Sequence, residues 1–262
     1  MNMNDKNMQN RQEQMIKEVL PIGNGAHIYA PREWIGEEVL VVRTIKPSLK
    51  ERILQELGPY LENIIGIYLY GSYARSEARE NSDIDLLVIT DKKIKISKKG
   101  FDIIALEKNS FGKALKLSPI LLFSALAEAK TIVNPELLKR MKEEHKPKAE
   151  YFKDYIKETK NIIKINRELL EPYSLILRLR GVYIINCLLD RSSYSHEKFK
   201  LWLKKNLPFV DINSVYGAYA KVKKNLKSGN LNQKDLELVL AFLEKQVLEL
   251  EVKLNGKKRK EA

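Results

Sequence analysis

The chain has 262 residues, which allows one large domain or two smaller ones, each with its own hydrophobic core. Its composition, 44% hydrophobic and 31% charged, is that of an ordinary water-soluble protein. The formal net charge of +13 favours a polyanionic partner, although the abundance of Lys also fits a Lys-rich proteome. A single cysteine, Cys187, excludes an internal disulfide and a Cys-rich zinc site. Because the sequence lacks an apolar signal core and any stretch long enough to cross a bilayer, we expect a cytoplasmic protein.

The N-terminal part predicts a flexible tail followed by a small β module. Residues 1–15 are polar and predict the tail, and residues 16–45 predict the module. Its turn is indicated by Gly23-Asn24-Gly25, and strands are predicted over 26–30 and 39–42. The stretch 23–36 resembles a short module of archaeal proteins and half of a swapped-hairpin DNA-binding domain of the AbrB kind. That resemblance implies a homodimer or a nucleic-acid contact; the alternative is a β ornament with a structural His27.

Residues 46–145 predict an α/β (α+β) domain with a mixed sheet, because strands alternate with helical patterns. Helices are predicted over 46–57 and 115–129, strands over 64–70, 83–90 and 101–106, and an edge strand over 131–133. Residues 146–254 predict an all-α helical bundle domain, and residues 255–262 a basic tail. The predicted helices are 135–144, 149–170, 173–190, 195–204, 211–227 and 232–254, with prolines at three of the breaks.

The residues that carry chemistry begin where the apolar strand 64–70 ends in Gly71-Ser72. Glycine lets a phosphate approach the main chain, and a helix start offers free N–H groups to an anion. Ser72 adds a hydroxyl donor, and Arg75 adds a cation within reach of the same phosphates. Ten residues separate Ser72 from Asp83-Ile84-Asp85, which opens the next apolar strand. Gly71, Ser72 and Arg75 are therefore candidates for binding a nucleotide.

Three aspartates form the candidate metal site. Side chains alternate along a strand, so Asp83 and Asp85 share a face with their Cα atoms roughly 6–7 Å apart. Asp102 lies in the following strand, which we expect to pair beside the strand of Asp85. Mg²⁺ prefers oxygen ligands, and three carboxylates on adjacent strands suit a two-metal site, with Mn²⁺ as a substitute. Asp91 is another carboxylate nearby, but it follows its strand and is interpreted as a turn residue.

The Gly71-Ser72 pair, its spacing to Asp83-Ile84-Asp85 and the later aspartate resemble the signature of the DNA polymerase β nucleotidyltransferase superfamily. Ser82, immediately before the first aspartate, fits the same signature as a nucleotide-binding residue. The resemblance covers about residues 50–135 and implies transfer of a nucleoside monophosphate from an NTP, expected to be ATP, with release of pyrophosphate. It also implies that Asp83, Asp85 and Asp102 hold Mg²⁺ and carry the catalysis.

The acceptor is not encoded by any motif, and three alternatives stay open. The positive charge favours RNA, such as tRNA, as the acceptor. The second alternative is transfer to a toxin side chain, as in antitoxin-type minimal nucleotidyltransferases. The third is a non-catalytic module that binds a nucleotide or nucleic acid.

Two basic features in the helical part have both a functional and a plain structural interpretation. Arg191 and His196 match an Arg-x4-His spacing that resembles HEPN-type RNases, although Arg and His at this distance arise easily by chance and Ser195 suits a helix N-cap. Arg178 and Arg180 either face a triphosphate or RNA, or form a solvated helix face. The sequence leaves base selectivity, the number of nucleotides added and the oligomeric state open.

Overall fold

The computed structural model describes residues 15–42, 47–223, 226 and 231–261. The predicted flexible tail therefore lies almost entirely outside the described residues. The chain divides into two compact units, Met1–Lys46 and Pro47–Ala262. No helix within the described ranges combines the length and the apolar character that crossing a bilayer requires.

The first unit contains a short hairpin. Strands β1 (Leu20–Ile22) and β2 (Gly25–His27) pair antiparallel, and Gly23 takes a φ of +51° in the turn between them. The turn predicted at Gly23-Asn24-Gly25 is confirmed. A 3₁₀ turn follows at Arg32–Trp34. The strand predicted over 39–42 is wrong: these residues have no regular structure and are exposed, so no strand or core stabilises their apolar run.

The second unit begins with helix α1 (Leu49–Leu57), where Ser48 and Glu51 form a capping box. The elements that follow up to residue 144 are β3 (Ile64–Tyr70), α2 (Gly71–Ala74), β4 (Ile84–Thr90), β5 (Phe101–Glu107), α3 (Phe111–Leu117), α4 (Pro119–Glu128), β6 (Lys130–Val133) and α5 (Pro135–Glu144). The single helix predicted over 115–129 is wrong, because the chain bends at Ser118 and Pro119 starts a new helix.

The four strands of this unit form one mixed sheet in the order β5-β4-β3-β6. Strand β3 is antiparallel to both of its neighbours, β4 and β6, whereas β4 and β5 are parallel. The parallel register sets Asp85 directly beside Asp102, and the antiparallel register sets Tyr70 beside Asp85. The predicted mixed sheet is confirmed, and the edge strand predicted over 131–133 is observed as β6.

Helices account for the regular structure described after residue 144. They are α6 (Lys153–Leu169), α7 (Pro172–Leu189), α8 (His196–Asn206), α9 (Ile212–Lys223) and α10 (Gln233–Glu261), with a 3₁₀ turn at Ala149–Phe152 before α6. Ser195 accepts a hydrogen bond from the Lys198 backbone N–H and caps α8, as the sequence predicts. The backbone of α10 stays helical to Glu261, beyond the predicted end at residue 254.

The two faces of the sheet pack against different neighbours. One face, with Ile67, Leu69 and Leu86, packs against α1 in a small core. The other face, with Tyr68 and Leu87, joins the helices in one continuous core that extends to Leu254. The predicted division of the chain near residue 145 stays a prediction, since the sheet and the helices share this core.

Candidate active site

The segment that follows β3, here called the Gly71 loop, begins with the short helix α2 (Gly71–Ala74). Its shape depends on the close approach of Asp85. Gly71 takes a φ of +70°, a conformation that favours glycine. A Cβ atom added to Gly71 would lie 1.9 Å from Oδ2 of Asp85. The short helix α2 then begins at Gly71, which presents the Ser72 backbone to the carboxylate of Asp85. The glycine in the predicted Gly-Ser pair is therefore required by this carboxylate as well as by any phosphate.

Asp85 and Asp102 project from the same face of the sheet, the face that packs against the helices. Along β4, Asp85 alternates with Leu86 and shares its face with Leu87, and Asp102 shares the face of Ile104 on β5. Asp85 is half-buried, whereas Asp83 and Asp102 are exposed. The two paired carboxylates thus lie at the open end of the sheet, where β4 and β5 begin.

The charges in this cluster repel one another. Burial raises the pKa of the Asp85 carboxyl above its usual range, and the negative charges of Asp102 and Asp83 raise it further. The Ser72 backbone N–H and the Arg75 guanidinium oppose this shift without cancelling it. Burial and the negative charges of Asp102, Asp85 and Glu128 also raise the pKa of the neighbouring Tyr70 phenol. Such a cluster is typical of a site that a cation completes.

Within the part of the chain that the structure describes, no three His, Cys, Asp or Glu side chains form a ready-made metal cage. Mg²⁺ is commonly held by one or two carboxylates together with substrate phosphates and water, so an incomplete protein cage fits such an ion. The pair of Asp85 and Asp102, with Asp83 close enough to shift the pKa of Asp85, supplies carboxylates of this kind.

Arg75 is engaged by protein carboxylates. Its Nε donates to Glu77 at 2.7 Å, its Nη1 pairs with Glu128, and its guanidinium lies 5.3 Å from the ring centre of Tyr194. Burial disfavours the charged form, but the carboxylates of Glu77 and Glu128 outweigh it and raise the pKa of Arg75. The predicted role of Arg75 in binding phosphate stays a prediction, and it requires exchange of these ion pairs.

The Ser82 hydroxyl caps the turn before β4. It accepts a hydrogen bond from the Arg79 backbone N–H at 2.9 Å, and the Ser82 N–H donates to the Arg79 carbonyl. Asp83 follows directly after this turn. The predicted contact between Ser82 and a nucleotide stays a prediction.

Glu128 is a residue that the sequence interpretation missed. Its carboxylate accepts a hydrogen bond from the Gly71 backbone N–H at 3.2 Å and also pairs with Arg75. Its pKa is raised because burial outweighs the attraction of Arg75. One sequence signal was present: Glu128 ends an apolar helix, where the helix dipole disfavours a negative charge unless a partner is near.

Glu77 connects the Gly71 loop with the helical part of the chain. Besides pairing with Arg75, it accepts a hydrogen bond from the His196 backbone N–H at 3.1 Å, at the start of α8. A carboxylate at this position is stabilised by the N-terminal end of the helix dipole. The loop is therefore tied to the helices through Arg75, Glu77 and His196.

The basic residues noted in the helical part fall in separate environments. His196 Nδ1 lies 3.0 Å from the Tyr216 hydroxyl, whereas Arg191 lines a cavity that His196 does not line. Arg178 pairs with Glu158 at 2.7 Å, and Arg180 donates to the Tyr194 hydroxyl at 2.9 Å. Neither Arg178 nor Arg180 belongs to a fully solvated helix face.

Comparison with known proteins agrees with this fold. Residues 51–140 match the family model described as Polymerase beta, Nucleotidyltransferase. This segment is a polymerase β-type nucleotidyltransferase domain, as its resemblance in sequence implied, and the chain is a nucleotidyltransferase enzyme. No protein of curated function matches the sequence.

Two solved structures are similar to this chain at low sequence identity. The spectinomycin adenyltransferase from Enterococcus faecialis, solved with ATP and spectinomycin, is 14% identical with a TM-score of 0.42 over 75% of this chain and 95% of its own. A nucleotidyltransferase-like protein from Exiguobacterium sibiricum 255-15 is 17% identical with a TM-score of 0.34 over 76% of this chain and 73% of its own.

Proposed function

We propose that this nucleotidyltransferase transfers a nucleoside monophosphate, with ATP as donor, to a hydroxyl group of RNA and releases pyrophosphate. The observation that carries the proposal is the pairing of Asp85 with Asp102 at the open end of the sheet, beside a loop that starts at Gly71. This arrangement unites carboxylates for metal-bound phosphates with backbone N–H groups for an anion.

Asp83, Asp85 and Asp102 would hold Mg²⁺, which Mn²⁺ can replace. The chemistry that the bound ions supply is neutralisation of the triphosphate and a lower pKa of the acceptor hydroxyl. Ser72 and the backbone at Gly71 position the phosphates. The acceptor oxygen attacks the α-phosphorus, the bond to the β-phosphate oxygen breaks, and pyrophosphate leaves. Asp102, which is exposed, accepts the proton of the acceptor hydroxyl.

The choice of RNA is supported by charge and access. The crossover between β4 and β5 spans residues 91–100. It ends beside the aspartates, since the Ile84 N–H donates to the Gly100 carbonyl. This crossover contains five lysines, of which Lys98 and Lys99 directly precede Gly100. Asp83 and Asp102 are exposed at the same edge, so a large acceptor can reach them. Lysines beside an open site favour a phosphate backbone.

The test incubates the protein with Mg²⁺, total tRNA, a cell extract freed of RNA, and each NTP labelled at the α-phosphate in turn. We expect label from ATP on RNA, and a loss of at least about a hundredfold in Asp83→Asn/Asp85→Asn. Asp91→Asn, an exposed aspartate at the opposite end of β4, is the matched control.

The outcomes separate the alternatives. Label on a protein instead of RNA would replace RNA as the acceptor and support the modification of a protein side chain. Full activity in Asp83→Asn/Asp85→Asn would refute the metal assignment. Absence of label on every acceptor would contradict the proposed reaction.

A further inference from the structure

Helix α8 begins next to the Gly71 loop and extends from there. Its first residue, His196, donates its backbone N–H to the carboxylate of Glu77, which in turn pairs with Arg75. The helix ends at Asn206 after a rise of about 16 Å. This length matches several successive phosphates of a nucleic-acid strand, which follow one another at about 3.4 Å in a duplex. Helix α8 therefore connects the neighbourhood of the candidate active site with a more distant part of the surface.

The exposed side of α8 is mainly positive. Its exposed residues are Glu197, Lys198, Leu201, Lys204, Lys205 and Asn206. Helical spacing places them away from the buried Phe199 and Leu203. Among the residues with described side chains, no carboxylate forms an ion pair with the three exposed lysines. Asp211, beyond the end of α8, accepts hydrogen bonds from the N–H and the hydroxyl of Ser214. The lysines are therefore available to an anionic partner.

The turn that follows α8 presents an aromatic ring to the solvent. The Val210 N–H donates to the Leu207 carbonyl at 3.2 Å, which closes a turn with Pro208 at its second position. Leu207 and Val210 are buried, whereas Phe209 between them is 90% exposed. Because proline restricts the turn and both of its ends are buried, the exposed ring is held in a defined place.

We propose that Lys198, Lys204, Lys205 and Phe209, here called the α8 track, bind a single-stranded segment of RNA. The lysines contact successive phosphates, and the Phe209 ring stacks on an unpaired base. Proteins that hold single strands combine a basic surface with exposed aromatic rings in this way. An acidic protein would engage the lysines but not the ring, and a duplex offers no free base. The inference rests on the proposed RNA acceptor and adds which surface holds it and that the held segment is unpaired.

The test measures binding by fluorescence anisotropy in EDTA and without nucleotide, so that no transfer takes place. The probes are a labelled single-stranded RNA of about 12 nucleotides, a blunt RNA duplex of the same sequence, and a labelled oligo-glutamate of similar charge. We expect the single strand to bind with micromolar affinity at about 50 mM salt. The duplex and the oligo-glutamate should each bind at least about fivefold more weakly, because neither can stack on Phe209.

Two kinds of variant separate stacking from charge. Phe209→Leu keeps an apolar side chain but should weaken binding of the single strand at least about fivefold, and Phe209→Trp should retain it. Lys204→Ala/Lys205→Ala should reduce the slope of the logarithm of affinity against the logarithm of salt by about 1.4, since each lost phosphate contact contributes about 0.7. Lys113→Ala/Lys116→Ala, which removes two exposed lysines of α3, should leave this slope unchanged.

Three results would each overturn the proposal: unchanged binding in Phe209→Leu, equal salt slopes in the two lysine double variants, and duplex or oligo-glutamate binding as tight as that of the single strand. The outcome is distinguishable from that of the transfer reaction. Labelled RNA together with unchanged binding in Phe209→Leu would refute the α8 track alone. Binding that depends on Phe209, without label on RNA, would contradict the proposed reaction and leave the α8 track supported.

Discussion

Gly71 and Asp85 approach each other so closely that a Cβ atom on Gly71 would lie 1.9 Å from the Asp85 carboxylate oxygen. Gly71→Ala must therefore displace either the loop or the carboxylate, and alanine at a φ of +70° costs about 1 kcal/mol more. We expect transfer to fall at least about a hundredfold, since catalysis depends on ångström-scale positioning. Steady-state kinetics and thermal unfolding of the same preparations measure both effects.

Gly217→Ala is the control for this substitution. Gly217 lies inside α9, and a Cβ atom added there would meet no atom of the described residues within 4 Å beyond its own stretch of helix. Alanine there should keep full activity and stabilise the helix by about 1 kcal/mol. Normal turnover by Gly71→Ala would show that the loop tolerates a side chain and would contradict the role given to this contact.

Asp85→Asn should stabilise the metal-free protein while abolishing transfer. Burial raises the pKa of this carboxyl, and the nearby charges of Asp102 and Asp83 raise it further, so its charged form destabilises the fold near neutral pH. An amide of the same shape removes that repulsion and should stabilise the fold by about 0.5–2 kcal/mol. Urea unfolding in EDTA at pH 7 measures the change, with Asp91→Asn as a neutral control. A clear loss of stability in Asp85→Asn would contradict the prediction.

Glu128→Ala should weaken both the fold and the transfer reaction. The substitution removes an ion pair whose side chains are 17% and 12% exposed, and it leaves the Gly71 N–H without its carboxylate. We expect a loss of about 1–3 kcal/mol in stability. Glu128 positions the loop and is given no contact with the substrate. The fold decrease in kcat should therefore exceed the fold change in KM by about tenfold.

Two variants sharpen the assignment of Glu128. Glu128→Gln keeps an acceptor for the Gly71 N–H and should recover part of the activity. Glu144→Ala removes an exposed glutamate that likewise ends a helix and should be neutral. Equal loss of activity in Glu128→Ala and Glu128→Gln would indicate that charge, rather than the hydrogen bond to Gly71, is what the site requires.

The sequence predicted the sheet and its acidic edge because both depend on local patterns. Three features can be recognised from a few neighbouring residues: the apolar run of β3, the alternation around Asp85, and the glycine at position 71. The strand of Asp102 was expected beside the strand of Asp85, and this neighbourhood is confirmed, whereas the parallel direction and the register of the pair were not predicted.

The parts that sequence did not predict depend on contacts between distant segments. Arg75 meets Glu128 across 53 positions of the chain, and Glu77 meets His196 across 119. No periodicity encodes such pairs, so Arg75 was expected to be free for phosphate. The break at Pro119 was missed for a different reason: the apolar pattern continues through Ser118, and proline is compatible with the first turn of a new helix.

His196 should make the stability of the protein fall as the pH drops below about 6.5, the ordinary pKa of histidine. Burial lowers the pKa of His196 in the fold, and Arg180, Arg79 and Lys200 lower it further, against the opposing attraction of Glu77. The unfolded chain then binds the proton more tightly than the folded chain, so stability is full above the unfolded pKa and declines towards the lower folded pKa. His196→Gln keeps a polar partner for the Tyr216 hydroxyl without the titration. Free energies of unfolding from urea titrations at pH 8, 7, 6 and 5.5 should therefore decline less in His196→Gln than in the parent protein, and parallel declines would refute the assignment to His196.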